Sequence, residues 1–109
     1  MTTPSVPDML FTAAAAMACD GLPTPQKVEV SGEFGLELNF AAHGELHRWA
    51  RFMRLTGHRF SQPFTHEDVP QVLTSIYGDW RGVQVRLSCC EPLADTPPEF
   101  LPRAAVMSG

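Results

Sequence analysis

His43 and His47 are four residues apart in a stretch whose apolar spacing predicts a helix, which would put both rings on one side where they can chelate zinc. The zinc-protease arrangement needs a glutamate directly after the first histidine. Gly44 stands there, so that chemistry is excluded. A structural site drawn from His43, His47 and one of Cys89 or Cys90 has no second ligand pair at metal-like spacing. The sequence therefore points to two surface histidines on the first turn of a helix, with no metal and no other cofactor. Nucleophilic catalysis by Cys89 or Cys90, with His58 or His66 as base, requires a thiol acidified by a cation or a helix N-terminus. Both cysteines fall instead inside a predicted strand, with Cys89 on its apolar face and Cys90 on its polar face. No catalytic residue is assigned, and the chain is read as a non-enzyme.

The positive charges are the stronger signal. Arg48, Arg51, Arg54 and Arg59 hold half of the eight Lys and Arg residues within twelve positions, with His47 and His58 beside them. Clustered guanidinium groups recognise carboxylate or phosphate bidentately. The competing reading is a solvated helix face paired with nearby acids such as Glu45. Downstream, Asp79-Trp80-Arg81-Gly82 places an aromatic beside an arginine in a turn, a pairing that suits an interface hot spot unless Trp80 folds back over the sheet. The partner-binding candidates are thus Arg48, Arg51, Arg54, Arg59, Trp80 and Arg81.

The elements that must carry these residues follow from periodicity. Asp8 is placed to cap a helix over 9–19, with Leu10, Ala13, Ala14 and Met17 on its apolar stripe and Gly21 as its stop. The segment Leu22-Pro23-Thr24-Pro25 is an extended connector. Val28 and Val30, then Leu36, Leu38 and Phe40, alternate with polar residues around a turn at 32–35, which is the pattern of a hairpin. From His43, Leu46, Trp49, Ala50 and Met53 mark a second helix, ended by Gly57. Residues 58–70 read as a loop with an edge strand, because Pro63 and Pro70 interrupt regular structure. Residues 72–77 and 83–89 make a second hairpin. The fold class expected is α+β, in the order α-β-β-α-β-β. It would be an antiparallel sheet of about four strands in two hairpins, with both helices on one face.

The chain has 109 residues, 44% of them hydrophobic and 18% charged, which suits one domain with one core. Residues 1–7 read as a flexible lead, 8–91 as the domain and 92–109 as a proline-rich, poorly ordered tail. The net charge of −4 disfavours nonspecific binding of a polyphosphate. No apolar run is long enough to span a bilayer and no basic leader precedes residues 9–18, so the expected location is cytoplasmic, with no membrane partner. The three cysteines do not make a disulfide framework.

Gly21-Leu22-Pro23-Thr24-Pro25 before a hairpin, Trp49-Ala50 in the middle helix, and Trp80-Arg81-Gly82-Val83-Gln84-Val85-Arg86 together resemble small uncharacterised proteins of actinobacteria, of the Streptomyces type, and of their plasmids and phages. The resemblance covers residues 9–91. It implies a phage- or mobile-element-linked accessory role and brings no catalytic residue with it. The function expected is a non-enzymatic protein–protein interaction module or accessory regulator, with a protein partner and a homodimer both open. The alternative is a nucleic-acid-binding regulator acting through the Arg48–Arg59 cluster.

Overall fold

The computed structural model describes residues 10, 11, 14, 15, 17–19, 21–31, 35–56 and 59–101. The described order is β1 (Lys27–Ser31), β2 (Gly35–Phe40), α1 (His43–Met53), β3 (Arg59–His66), β4 (Val69–Trp80) and β5 (Val83–Pro92), followed by 3-10 turns at Leu93–Asp95 and Pro98–Phe100. Leu10, Phe11, Ala14, Ala15 and Met17 to Cys19 are helical, in line with the first helix expected. Leu10 and Met17 pack against the core from that segment. The proposed cap Asp8, the lead 1–7 and Gly57 lie outside the described residues.

The fold is α+β, but its sheet corrects the expected one. It has five strands rather than four, in the order β1-β2-β5-β4-β3, and is mixed rather than antiparallel, because β2 and β5 run parallel. The cause is the segment over 58–70. Within it, Arg59–His66 form the first arm of a long hairpin, β3–β4, closed by Glu67 and Asp68, both at positive φ (51° and 65°). Two consecutive left-handed residues make the tight turn whose twist suits a hairpin. Its usual signature is Asn-Gly, so Glu-Asp gives little warning in the sequence. Pro63 is tolerated because β3 is the sheet's edge. With β3 counted, the run after the helix crosses the sheet in a three-strand meander and β5 returns beside β2, pointing the same way.

Strand alternation sorts the side chains into two faces. One carries Leu36, Leu38, Phe40, Ile76, Trp80, Val83, Val85, Leu87 and Cys89, and α1 packs on it through Leu46, Trp49 and Met53, all of them buried. The helix offers these residues at steps of three and four, a stripe matched to one sheet face. The indole N–H of Trp49 donates to the Pro23 carbonyl at 2.7 Å, which pins the proline connector across the helix and satisfies a buried donor. The opposite sheet face has no helix on it among the described residues. On its β3–β4 half, Phe60, Phe64, Val69, Leu73 and Tyr77 share one surface, and Phe60, Phe64 and Val69 are 51%, 39% and 44% exposed.

The C-terminal segment also departs from expectation. Residues 93–101 are folded, and Phe100 is buried in the core, its ring 4.9 Å from that of His43. Prolines at 92, 97 and 98 hide this in the sequence: they remove helical and strand periodicity while fixing the turns that swing Phe100 inward. Residues 102–109 lie outside the described residues.

Candidate functional site

The basic residues gather around the C-terminal end of α1. The helix stops at Arg54, in the left-handed conformation at φ 55°, with the Leu55 N–H bonded to the Ala50 carbonyl at 3.0 Å. This reversal turns Leu55 back toward the sheet, where it lies against Gly78, and β3 begins nearby with Arg59. As a result His47, Arg51, Arg54 and Arg59 line one hollow of about 300 Å³, with Ala50, Leu55, Ile76 and Phe100 supplying apolar wall. Arg59 is the best fixed of them. Its guanidinium lies 5.0 Å above the Phe100 ring and donates to the Glu99 carbonyl at 2.9 Å.

Arg54 also lines the neighbouring depression of about 420 Å³, shared with Phe52, Met53, Asp79, Trp80 and Arg81. The helix end and the β4–β5 turn are therefore contiguous. Trp80 itself is 5% exposed and packs edge-on against Phe52, so its ring is core and not an exposed hot spot. Arg81 is exposed, as are Asp79 and Gly82, and its guanidinium lies 5.8 Å from the Trp80 ring. Arg48 stands apart on the other flank, tied to the Gly21 carbonyl at 2.9 Å beside Leu22, Arg51 and Phe52.

Charge balance separates this region from an ordinary solvated helix. Among the described residues the ion pairs are Lys27 with Glu29, His43 with Glu91, His66 with Glu67, and Arg86 with Glu37. None involves Arg48, Arg51, Arg54, Arg59 or Arg81. Glu45, the acid expected to pair with the band, does not. Among the described residues, the hollow thus presents guanidinium groups with no carboxylate paired to them, beside an apolar wall.

A second polar cluster lies beneath the same Phe100 ring. His43 is not the surface histidine expected from its place in the helix: it is fully buried. Its Nδ1 is 2.7 Å from Glu91 Oε1, its Nε2 is 2.7 Å from Thr74 Oγ1, and Thr74 is 2.8 Å from Ser61 Oγ. Glu91 Oε1 also accepts the backbone N–H of His43 at 3.0 Å. Ala42, at the helix N-cap, makes no side-chain cap bond, so β5 supplies the cap that the local sequence lacks. Cys89 Sγ lies 3.5 Å from the same Nδ1, and burial, with the Glu91 charge next, pushes its thiol up to about 12.

The chain Glu91–His43–Thr74 has the order of an acid, a base and a hydroxyl, but the Thr74 hydroxyl is fully buried between strands where no substrate carbonyl can reach it. His47 and His66 are not part of it: His47 meets Phe100 edge-on at 6.0 Å and His66 lies near Glu67, while His58 is outside the described residues. The sequence hid this cluster because its members come from α1, β3, β4 and β5. The register, which sets Thr74 opposite both Ser61 and Cys89, could not be read without the strand order.

No protein-family model matches the chain, and comparison with curated proteins and with solved structures finds no significant match. No described helix is long and apolar enough to cross a membrane.

Proposed function

We propose that this protein is a non-enzymatic, cytoplasmic protein-interaction module that captures an acidic segment of a partner protein in the hollow formed by Arg51, Arg54, Arg59 and His47. The observation that carries this reading is the absence of any carboxylate paired with these arginines among the described residues, in a chain of net charge −4. An aspartate or glutamate entering the hollow meets the guanidinium of Arg59, held by Phe100 and the Glu99 carbonyl, and those of Arg51 and Arg54, and an apolar neighbour in the partner meets Phe100, Leu55 and Ile76. Such a role fits the phage- or mobile-element-linked accessory regulator that the resemblance to actinobacterial proteins implies.

Nucleic acid is the second reading, since phosphate suits the same guanidinium groups. The hollow adjoins two further depressions that share Arg54 and Arg51, but the molecule's overall negative field opposes a polyanion. A labelled peptide of glutamates flanking one phenylalanine, and an oligonucleotide of equal charge, are compared by fluorescence anisotropy at matched low salt. The peptide is expected to bind and to lose at least about tenfold in affinity with Arg51→Glu plus Arg54→Glu, while the oligonucleotide stays free. Tighter binding of the oligonucleotide would reverse the assignment.

A homodimer belongs to the same reading and uses a different surface. The exposed Phe64 and Val69 lie on the sheet face that carries no helix among the described residues, beside β3, the outermost described strand on that side. Face-to-face contact of two copies through Phe64 and Val69 would cover this apolar surface without asking Pro63, which has no N–H, to join a ladder. Sedimentation equilibrium is expected to show a dimer that Phe64→Glu converts to monomer. A wild type that stays monomeric at high concentration removes the dimer from the proposal.

A further inference from the structure

We propose that His43 Nδ1, Cys89 Sγ and a carboxylate oxygen of Glu91 form a binding site for one divalent transition-metal ion of the zinc class. The three ligand atoms lie within 4.8 Å of one another, two of the residues are fully buried, and the third is 13% exposed at its side chain. Zinc held by nitrogen, sulfur and oxygen at its ordinary bond lengths spaces those ligands by about 3.2–3.8 Å. Sγ to Nδ1, at 3.5 Å, already has that spacing. Nδ1 to Oε1, at 2.7 Å, is the separation of an N–H···O bond and opens by roughly half an ångström when the ion replaces the proton. Oε1 also accepts the His43 backbone N–H, so the same oxygen can keep the helix capped with one lone pair while the other turns to the ion.

The surroundings are those a ligating histidine needs. An Nδ1 ligand must carry its proton on Nε2, and Nε2 faces Thr74 Oγ1 at 2.7 Å, which can accept that proton's hydrogen bond while Thr74 donates onward to Ser61. Such an outer partner fixes the tautomer and the ring plane. Cys89 and Glu91 are two apart on β5, so both project from the same face toward the first residue of α1.

The charges also close. On binding, the Cys89 thiol proton leaves to solvent, the ring proton moves from Nδ1 to Nε2 with the imidazole still neutral, and thiolate plus carboxylate balance the dication. A buried cluster with no net charge avoids the cost of an unpaired ion in the interior. The fourth position falls to water at the Glu91 side, where the cluster meets solvent.

Cobalt(II) is the probe, because a cobalt–thiolate bond gives a near-ultraviolet charge-transfer band that imidazole or carboxylate ligation does not. Reduced, chelator-treated protein titrated with Co²⁺ is expected to show the band, to saturate at one ion per chain, and to lose it when Zn²⁺ is added. Cys89→Ser should abolish the band, whereas Cys19→Ser and Cys90→Ser should keep it. Thr74→Val, which keeps all three ligands, should weaken affinity about 10- to 100-fold with the band intact. Folded wild-type protein without the band overturns the site, as does a band that survives Cys89→Ser or disappears with Cys90→Ser. If Cys89→Ser fails to fold, the wild-type spectrum and the Thr74→Val affinity still decide it.

Discussion

Thr74 is the residue on which the buried polar cluster hinges, since its hydroxyl meets both His43 Nε2 and Ser61 Oγ and is shielded from solvent. Valine in its place keeps the shape and removes the hydroxyl, leaving a buried ring nitrogen without its partner. The expected loss is about 1–3 kcal/mol in urea unfolding of metal-free protein, against a near-neutral effect for Ser61→Ala at the more open end. Cys89 gives a second residue-level test. Folding holds its proton more tightly than the unfolded chain does, moving the thiol from 9.0 to about 12. The stabilisation is therefore complete below pH 9 and fades as pH rises toward 12, because there the unfolded state has released a proton that the native state keeps. In chelator-treated protein at pH 8, iodoacetamide should modify the exposed Cys19 and Cys90 and spare Cys89 until denaturant is added. The burial of Cys89 was legible, because Val83, Val85 and Leu87 alternate with it. The burial of His43 was not, because a polar ring at the start of a helix looks solvated until β5 supplies Glu91.

Helix α1 and the first hairpin could be read from the chain because each carries its own signals: a three-and-four apolar stripe in one, strict alternation and glycines in the other. Gly35 is essential to that hairpin. It sits at φ 81°, and a Cβ there would lie 2.4 Å from the Gln84 carbonyl oxygen of β5. Gly35→Ala is expected to cost about 2 kcal/mol or more, seen as a lowered thermal midpoint, because both the conformation and the strand spacing resist a side chain. A midpoint within error of wild type would mean that β2 and β5 are not paired in this register. The β3–β4 hairpin and the parallel β2–β5 pairing were hidden for a different reason. One depends on a Glu-Asp turn held at positive φ by the strands around it, and the other on contacts between residues about 49 positions apart, such as Asn39 with Ser88 and Arg86 with Glu37. Local pattern carries little information about either.

On the scale of the whole molecule, one sheet face is filled by α1 and Phe100 and the other carries no helix among the described residues, while Arg51, Arg54 and Arg59 collect at one end of α1. Their clustering was visible in the sequence, but its meaning depended on whether Glu45 and other acids neutralise it. Among the described residues the paired carboxylates lie elsewhere: Glu37 and Glu29 are on the opposite sheet face with Arg86 and Lys27, Glu91 is committed to His43, and Asp79, which lines the neighbouring depression, forms no ion pair with Arg54 or Arg81. The resulting asymmetry, a basic hollow on an acidic protein, is the physical basis for reading this chain as a partner-binding module. The most direct test is affinity capture from native-host lysate in the presence of nuclease, comparing wild type with the Arg51→Glu, Arg54→Glu, Arg59→Glu variant after both are shown to be folded. The account predicts a protein partner, retained through nuclease treatment by the wild type and lost by the variant. Equal recovery by the two proteins, or recovery that disappears with nuclease, would contradict it.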